Sequence, residues 1–350
     1  MCNSDMEKLP FVSIIMLNYN GKAFLEACLS SIFKIRYPRS SYEIILVDNA
    51  SSDGSVEYIR KNFPLIRLLA LNKNYGFTEG NNKGAKLAQG DFIVFLNNDT
   101  IVDENWLNEL AKVALSDSKI GICGSKIMSM KDPNVTQYNG RHFHVLGGVM
   151  PGAFHPYKNE FGKEFNIVGS VQGSSFLVRK NVFKSIGGFD KDYFLYSDEV
   201  DICYRAWISG YYVAYATNSI VYHYGSGTTG ALNSNRSGIL YDRLKSPLHV
   251  YYGTRNSILN VLKNLELRNM LLGIFFSIFF LLFQFFVLLM DGDVKNAKLL
   301  IRASIWPIKN LKAVWKKRIY IQARRKFNDQ KLLRLKVLIS ITDTLRSVLS

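Results

Sequence analysis

The sequence predicts an α/β fold built on a parallel sheet, followed by an apolar helix and a basic helical tail. Over the first hundred residues, short apolar runs of strand length alternate with amphipathic segments of helical period. This alternation is typical of parallel strands joined by helical crossovers. The later stretch 120–230 is less periodic and richer in glycine and aromatic residues, and we interpret it as a mixed-sheet half of the same domain.

Seven elements are predicted in the parallel half. Strands are expected at Phe11–Leu17, Tyr42–Val47, Ile66–Leu71 and Asp91–Leu96, and helices at Lys22–Ile35, Ser55–Asn62 and Asn81–Gln89. Asp53 or Ser55 is expected to cap the second helix. Asn72–Gly80 is a predicted loop, and Gly173–Arg179 is a predicted strand of the mixed half.

Polar side chains follow the predicted strands of the parallel half. They are Asn18, Asp48, Asp53, Asn74 and Asp99. In open parallel sheets, ligands bind where the carboxyl ends of the strands meet. These five residues therefore mark the predicted binding edge of the sheet.

The run 271–290 carries no charge, and its only polar residues are Ser277 and Gln284. Its length matches a helix that spans a membrane. A buried core helix is the alternative, but only residues 291–350 remain to surround it. Four apolar residues of that tail share one helical face: Leu311, Val314, Trp315 and Ile319. Because the rest of the tail is strongly basic, it suits a helix that lies on anionic lipid.

The topology of the apolar run follows from the charge of its flanks. Segment 230–270 carries six Lys and Arg against two Asp and Glu, and segment 291–350 carries 15 against 4. Basic segments favour the cytosolic side of a membrane, so both flanks favour the same face. We therefore expect a re-entrant or in-plane helix, with a single span as the alternative.

The net charge of +16 is concentrated near the C-terminus, since residues 1–229 carry 23 Lys and Arg against 22 Asp and Glu. A nucleic-acid-binding domain would itself be basic, so we expect no nucleic-acid partner. The segment 1–10 is polar, so we expect no secretory signal there and a main domain in the cytosol.

Two acidic positions are candidates for chemistry. Asp99 lies on a turn directly after the apolar run 92–96, where a carboxylate can hold a hard divalent cation at the sheet edge. Such an ion stabilises the negative charge of a leaving diphosphate. The cluster Asp198, Glu199 and Asp201 is the best candidate for a general base, although acids also favour the first turn of a helix. We interpret Asp201 as structural because an apolar helical stripe follows it.

Six motifs occur in order along the chain. They are Val12–Asn20, Val47–Ser55, Asn74–Phe77, Leu96–Thr100, Gly187–Asp190 and Asp198–Arg205. Together they resemble the family 2 glycosyltransferases of GT-A fold, especially the rhamnosyltransferase-like branch, over residues 11–260. The resemblance implies a Rossmann-like nucleotide-binding half fused to a mixed-sheet acceptor half.

The resemblance also implies roles for individual residues. The predicted donor-binding residues are Asn18, Asp48, Asp53, Asn74, Asn81, Asn82, Asn97, Asn98 and Arg255. Asp48 would contact the uracil or thymine and ribose end of the donor, Asn97 would lie near the ribose, and Arg255 would face the diphosphate. Asn97-Asn98-Asp99 matches the family's DxD element, so Asp99 would bind a divalent metal, Mg²⁺ or Mn²⁺. His223 would complete the metal or diphosphate site.

Two departures from the family pattern matter. The DxD element keeps one carboxylate, so we expect modest metal affinity and an ion that arrives with the donor. The family's base motif is usually Glu-Asp, whereas here Asp198 precedes Glu199. By the motif match the catalytic base is Glu199, and Asp198 is the alternative. No role is expected for four other histidines: His142, His144, His155 and His249.

These observations predict an inverting, metal-dependent glycosyltransferase. Its partners would be a nucleoside-diphosphate sugar, a glycan or lipid-linked acceptor, and the cytosolic face of the cell membrane, which it would contact through residues 271–350. One alternative is a polyprenyl-phosphate sugar synthase, which needs no strong base. Another is a non-catalytic membrane-anchored module that binds sugar nucleotides or glycans; such a module should lack Asp99 or the acids at 198–199, and both are present.

Four segments are predicted. They are a catalytic domain at 1–229, a basic connecting or acceptor-side segment at 230–270, a membrane helix at 271–290 and a basic amphipathic tail at 291–350.

Overall fold

Four parallel strands form the first half of the computed structural model, which describes residues 9–138, 140–151, 155–158, 164–225, 244 and 246–343. The elements of this half are β1 (Val12–Asn18), α1 (Lys22–Ile32), β2 (Tyr42–Asp48), α2 (Ser55–Asn62), β3 (Arg67–Ala70), α3 (Gly76–Leu87) and β4 (Phe92–Asn97). Strand β1 pairs in parallel with both β2 and β4, and β2 pairs in parallel with β3. The predicted parallel half is therefore confirmed.

Two local predictions are wrong. Helix α3 begins at Gly76, not at Asn81, because the amide of Phe77 donates to the carbonyl of Phe194, far away in sequence. Neither Asp53 nor Ser55 is the N-cap of α2. That position belongs to Gly54, whose φ of +78° is favourable for glycine. Asp53 instead accepts the amide hydrogen of Ser55 at 3.1 Å.

Strands in both antiparallel and parallel pairings extend the same sheet, as the mixed-half prediction requires. The elements are β5 (Thr100–Val102), α4 (Trp106–Ser116), β6 (Ile120–Ser129), β7 (Thr136–Tyr138), β8 (Arg141–His144), β9 (Val149–Pro151), β10 (His155–Lys158), β11 (Glu164–Ile167), β12 (Ser175–Arg179), α5 (Lys180–Ser185), α6 (Asp198–Ile208) and β13 (Tyr212–His223). In the described residues the order along the sheet is β10-β11-β13-β6-β12-β4-β1-β2-β3, with β5 on β13 and β7 on β6. Strand β12 lies antiparallel between β4 and β6, where the parallel half meets the mixed half.

Helices dominate the C-terminal third. They are α7 (Thr254–Asn264), α8 (Leu267–Met290), α9 (Val294–Lys309), α10 (Leu311–Gln322) and α11 (Asp329–Arg334), with a π-helical turn at His249–Gly253 before α7 and strand β14 (Leu338–Ile339) after α11. The part 230–243 of the predicted connecting segment lies outside the described residues.

The tail after α8 returns to the catalytic half. Strand β14 pairs in parallel with β8, and the amide of Lys326 donates to the carbonyl of Ile208 at 2.6 Å. The guanidinium of Arg318 donates to the carbonyls of Leu262 and Leu265 at 2.8 and 2.7 Å. Both ends of α8 are therefore tied to one folded body.

Helix α8 is long and apolar enough to cross a membrane, the only such helix in the described residues. Most of its large apolar side chains are exposed, including Phe279 and Phe283 at 57% each and Met290 at 88%. Monomeric soluble proteins rarely expose an apolar surface of this kind to water.

Candidate active site

Asp99 and His223 meet at the edge of the sheet. Strand β5 follows Asp99 directly and pairs with the end of β13, so that His223 lies opposite Thr100. The Nε2 atom of His223 is 3.3 Å from Oδ1 of Asp99, and both residues are largely buried. The pairing of β5 with β13 thus joins two predicted metal ligands that are 124 positions apart in the sequence.

Gln137 orients the imidazole of His223. Its Nε2 donates to the backbone carbonyl of His223 at 3.2 Å, which leaves Oε1 to accept from Nδ1 at 3.0 Å. With the proton on Nδ1, a neutral imidazole presents the lone pair of Nε2 toward Asp99. Two facing lone pairs repel each other unless a proton or a cation lies between them.

The Asp99–His223 pair fits a divalent ion. Carboxylate oxygen and imidazole nitrogen are both ligands of such ions, and Gln137 supplies the second hydrogen bond that metal-binding histidines usually have. Adjacent ligands of an octahedral ion with bonds of about 2.1 Å lie about 3 Å apart, close to the separation seen here. No group of three or more His, Cys, Asp or Glu side chains that could hold a metal occurs in the described part of the chain. Phosphate and water oxygens are further ligands that such an ion accepts.

The carboxyl ends of β1, β2 and β4 are joined by a buried hydrogen-bond network. Asn18 donates to Asp48 at 2.8 Å and accepts from the side chain of Asn98 at 2.7 Å. Asp48 also accepts the amide hydrogen of Ser51 at 2.8 Å. A Cβ atom on Gly21 would overlap the Asn98 amide, so a glycine is required there. This network fixes the turn that carries Asp99.

A second loop is held by amide side chains. Asn49 donates to Asn74 at 2.8 Å and accepts the amide hydrogen of Tyr75 at 2.9 Å. The same oxygen of Asn74 accepts the amide hydrogen of Gly76, at 2.8 Å. The sequence did not single out Asn49 as a site residue, although it directly follows Asp48 in the motif Val47–Ser55.

Four predicted donor-binding residues have protein partners away from the cavity described below. The carboxylate of Asp53 accepts the amide hydrogen of Lys22 at 2.8 Å. Burial alone would raise the pKa of this carboxyl group, but the hydrogen bonds from Ser55 and Lys22 outweigh it, and the pKa is lowered. Asn81 donates to the carbonyl of Phe77. Asn82 is bonded to both backbone groups of Phe189, at 2.9 and 3.0 Å. Arg255 donates to the carbonyls of Asp192 and Tyr193 and is 5% exposed.

Asn256, next to Arg255, holds the segment that leads into α6. Its side-chain amide is within hydrogen-bond distance of three carbonyls, those of Tyr193, Leu195 and Tyr196, at 3.0, 2.8 and 2.7 Å. In this segment Phe194, Tyr196 and Ser197 all have a positive φ, a backbone conformation that residues other than glycine rarely adopt. Strain of this kind persists only where surrounding contacts impose it, and Asn256 provides such contacts.

The segment ends at the two candidate bases. Asp198 and Glu199 are the first residues of α6, and both line the cavity. Burial raises the pKa of Asp198 well above its usual value, and the nearby charges of Glu199 and Asp201 raise it further. Asp198 therefore keeps its proton at pH values where an ordinary aspartate is ionised.

Asp201 belongs to an ion network that joins α6 to the C-terminal helices. Lys263, on α7, lies 2.9 Å from Asp201 and 2.6 Å from Asp190, and is 1% exposed. Arg205 pairs with Asp201 at 2.7 Å, and Lys317, on α10, pairs with Asp190 at 2.5 Å. Burial would raise the pKa values of Asp190 and Asp201, but the surrounding cations hold both below their usual range. These contacts agree with the interpretation of Asp201 as structural.

One cavity of about 710 Å³ connects the two halves of the site. Of the predicted site residues it is lined by Asn74, Asn97, Asn98, Asp99, Asp198, Glu199 and His223, and not by Asn18, Asp48, Asp53, Asn81, Asn82 or Arg255. Its far wall is the α8 helix, through Ser277, Phe280, Leu281 and Gln284.

Other residues of the cavity wall were not found by sequence reasoning. They include Tyr19, Arg141, His144, Gln172, Tyr196 and His249. Tyr19 lies in the motif Val12–Asn20, directly after β1. Long-range packing brings the other five to the site, and no local motif marks them. One signal was available for α8: Ser277 and Gln284, the only polar residues of its apolar run, are seven positions apart and so share a helix face.

Comparison with known proteins identifies the family. Residues 13–187 match the family model described as glycosyl transferase family 2. The N-acetylglucosaminyl-diphospho-decaprenol L-rhamnosyltransferase of Mycobacterium tuberculosis is 27% identical over 244 residues, which cover 62% of this chain and 77% of the relative.

Solved structures share the fold. A crystal structure of GalNAc-T7 with UDP, GalNAc and Mn²⁺ aligns with a TM-score of 0.55 at 19% identity, covering 73% of this chain and 52% of that one, so this chain spans about half its length. The mannosyltransferase PcManGT from Pyrobaculum calidifontis, in complex with GDP-Man and Mn²⁺, aligns with a TM-score of 0.51 at 16% identity, covering 90% and 86%. This chain belongs to glycosyl transferase family 2 and is a glycosyltransferase of GT-A fold.

Proposed function

We propose that this enzyme transfers a sugar, with inversion, from a nucleoside-diphosphate sugar to a lipid-linked or polysaccharide acceptor at the cytosolic face of a membrane. The observation that carries the proposal is one cavity lined by both the Asp99–His223 pair and Glu199. The Asp99–His223 pair can hold the leaving diphosphate through a divalent ion. Glu199 can take a proton from the attacking hydroxyl.

Asp99 and His223 would hold Mg²⁺ or Mn²⁺ together with the donor's phosphates. When bound there, the ion would neutralise charge that develops on the leaving diphosphate. Asn97 and Asn98 line the cavity beside Asp99, and Asn74 lines it on the neighbouring loop. These side chains can donate hydrogen bonds to donor oxygens and orient the sugar.

Glu199 is the proposed catalytic base. It accepts the proton of the acceptor hydroxyl as that oxygen attacks the anomeric carbon and the diphosphate leaves. Asp198 is the weaker candidate because burial and its acidic neighbours raise its pKa, which favours the protonated form that cannot accept a proton. A single displacement of this kind needs one base and inverts the anomeric configuration.

The residues that do not line the cavity act as supports in this proposal. Asn18 and Asp48 hold the Asn98 turn, Asn82 holds the Phe189 segment, and Arg255 holds the segment before α6. A donor contact for Asp53, Asn81 or Arg255 requires a rearrangement of their present hydrogen bonds.

The proposed membrane contact rests on exposed apolar side chains. Apolar side chains are exposed on α8 and also on α10, where Leu311, Trp315 and Ile319 are 50%, 43% and 60% exposed, whereas Val314 is buried. Because the tail after α8 packs on the catalytic half, an in-plane or re-entrant helix fits this body better than a single span.

A second candidate is a polyprenyl-phosphate sugar synthase, which the apolar α8 wall of the cavity also favours. Its acceptor is a phosphate, already ionised, so it needs no strong base. The Glu199→Gln variant separates the two candidates, because a synthase of this type would keep its activity.

A donor-hydrolysis screen tests the proposed function. Purified protein with Mn²⁺ is incubated with a panel of UDP-, dTDP- and GDP-sugars, and free nucleoside diphosphate is measured. We expect release from one nucleotide class, lost in the Asp99→Ala variant. Release from none, or release that Asp99→Ala leaves unchanged, would contradict the proposal.

A further inference from the structure

We propose that the face of α8 that lines the cavity binds the lipid chain of the acceptor. The acceptor is then a lipid-linked glycan, and α8 contacts the membrane and the substrate with opposite faces. This inference rests on the proposed function and names the acceptor class for the same site.

The two faces of α8 differ in burial and in polarity. Ser277, Phe280, Leu281 and Gln284 recur at helical spacing and line the cavity, and the buried Leu288 continues their stripe. The opposite stripe consists of apolar residues that are at least half exposed: Leu271, Phe275, Ile278, Phe279, Leu282, Phe283 and Phe286. A helix that only anchored the protein would not need its inner face to form the wall of a catalytic cavity.

Close packing holds α8 against the site. A Cβ atom on Gly273 would overlap the carbonyl of Val145, so glycine at this position allows α8 to approach the turn between β8 and β9. One helical turn later, Ser277 reaches the cavity wall. Toward the other end, Leu281 packs on a small apolar cluster that contains Leu244, Val250 and Leu288. Along this part of α8 the cavity is therefore bounded by the apolar side chains of Phe280 and Leu281, with the polar Ser277 and Gln284 one turn away on either side.

Three further residues of the cavity wall suit a phosphate linkage. Arg141 and His144, on β8, and His249, before α7, all line the cavity. A guanidinium and imidazoles are donors that bind phosphate oxygens. A lipid-linked glycan would place its sugar at Glu199, its phosphate at Arg141, His144 and His249, and its isoprenoid chain on α8.

Photo-crosslinking tests this assignment without knowledge of the acceptor's sugar. The probe is undecaprenyl diphosphate with a diazirine on its isoprenoid chain, mixed with full-length protein in phospholipid vesicles that contain anionic lipid. Labelled residues are mapped by mass spectrometry. We expect labels at Phe280, Leu281 or Gln284, removed by excess unlabelled undecaprenyl diphosphate but not by excess vesicle lipid.

Adjacent residues of α8 provide matched variants. Leu281→Gln should lower competable labelling about tenfold, the change expected when one buried apolar contact is replaced by a polar group, whereas Leu282→Gln on the exposed face should leave it unchanged. Phe280→Ala and Phe279→Ala form a second pair in case Leu281→Gln folds poorly, and thermal unfolding checks each variant.

Several outcomes would overturn the inference. Three results would show membrane insertion alone. They are labels spread evenly over both faces of α8, an equal loss of labelling in both variants of a pair, and competition by excess vesicle lipid. Competition by a lipid-free glycan as strong as that by undecaprenyl diphosphate would indicate a polysaccharide subsite. The donor-hydrolysis screen is separate: hydrolysis without specific labelling overturns only the lipid site, and labelling without hydrolysis overturns only the proposed transfer activity.

Discussion

The side-chain amide of Asn256 lies 2.7 Å from the carbonyl oxygen of Tyr196, three residues before Glu199. Asn256 is fully buried on α7, and it also reaches the carbonyls of Tyr193 and Leu195. It therefore connects the C-terminal helices to the strained segment that positions the proposed base.

Replacement of Asn256 should affect turnover more than donor binding. In Asn256→Asp the size is kept, but a carboxylate faces three carbonyl oxygens, so the segment 193–197 should shift. A displacement of about 1 Å at a reacting group can lower a rate about 100-fold. We expect kcat to fall by roughly that factor, with the Kd for nucleoside diphosphate unchanged by calorimetry. An unchanged kcat would show that Asn256 does not position Glu199.

The two acids at the start of α6 should respond differently to neutral replacement. Glu199→Gln should lower kcat by about 10²–10⁴-fold, the usual contribution of a general base. Asp198→Asn should retain activity because the raised pKa of Asp198 favours its neutral, protonated form, which an asparagine resembles. Steady-state transfer rates for both variants check this. A reversed order of effects would assign the base to Asp198.

Asp198→Asn should also stabilise the protein. The pKa of Asp198 is higher in the folded state than in the unfolded state, so its ionisation on unfolding weakens the fold as pH rises above about 4. At pH 8 we expect the melting temperature of Asp198→Asn to exceed that of the wild type by about 2–4 °C, and the gain to shrink toward pH 4. A gain that is the same at both pH values would argue against a raised pKa.

His223 and Gln137 should set the concentration of divalent metal at which the enzyme is active. His223→Ala removes one of the two proposed protein ligands, and Gln137→Ala removes the hydrogen bond that orients the imidazole. Loss of such an outer hydrogen bond usually costs about 10–100-fold in metal affinity or activity. The measurement is activity as a function of Mn²⁺ concentration. The Mn²⁺ concentration that gives half-maximal activity should be higher in Gln137→Ala than in the wild type, and higher still in His223→Ala. Full activity of wild-type protein in EDTA would refute the metal assignment.

Lys263 should be important for stability. Lys263→Met removes the buried cation that Asp190 and Asp201 share and leaves them only Lys317 and Arg205, respectively. Breaking a buried ion pair costs about 3–5 kcal/mol. The pKa values of both aspartates are lowered in the folded state, so this stabilisation is present above about pH 4 and is lost as pH falls through the folded values. Urea unfolding of wild type and variant should differ at pH 7 and converge at acid pH. A constant difference would contradict the network.

Sequence reasoning succeeded where a local pattern determines the structure. The apolar runs of β1, β2 and β4 and the polar residues that follow them predicted the sheet and the edge where Asn18, Asp48 and Asp99 lie. Three donor-site assignments taken from the family resemblance, for Asn81, Asn82 and Arg255, fall on side chains that already donate hydrogen bonds to backbone carbonyls of the protein.

The parts that sequence reasoning did not find depend on contacts between distant segments. The start of α3 depends on the carbonyl of Phe194, and the orientation of His223 depends on Gln137. The role of α8 as a cavity wall depends on the return of the tail to the catalytic half. No spacing within a single motif encodes such contacts.

The most direct test is transfer followed by proton NMR, with the nucleotide sugar identified in the hydrolysis screen and a lipid-linked or soluble glycan acceptor. The account predicts a new glycoside whose anomeric configuration is opposite to that of the donor, formed by wild-type protein with Mn²⁺ and lost in Asp99→Ala and Glu199→Gln. A product with retained configuration, or full transfer by Glu199→Gln, would contradict it.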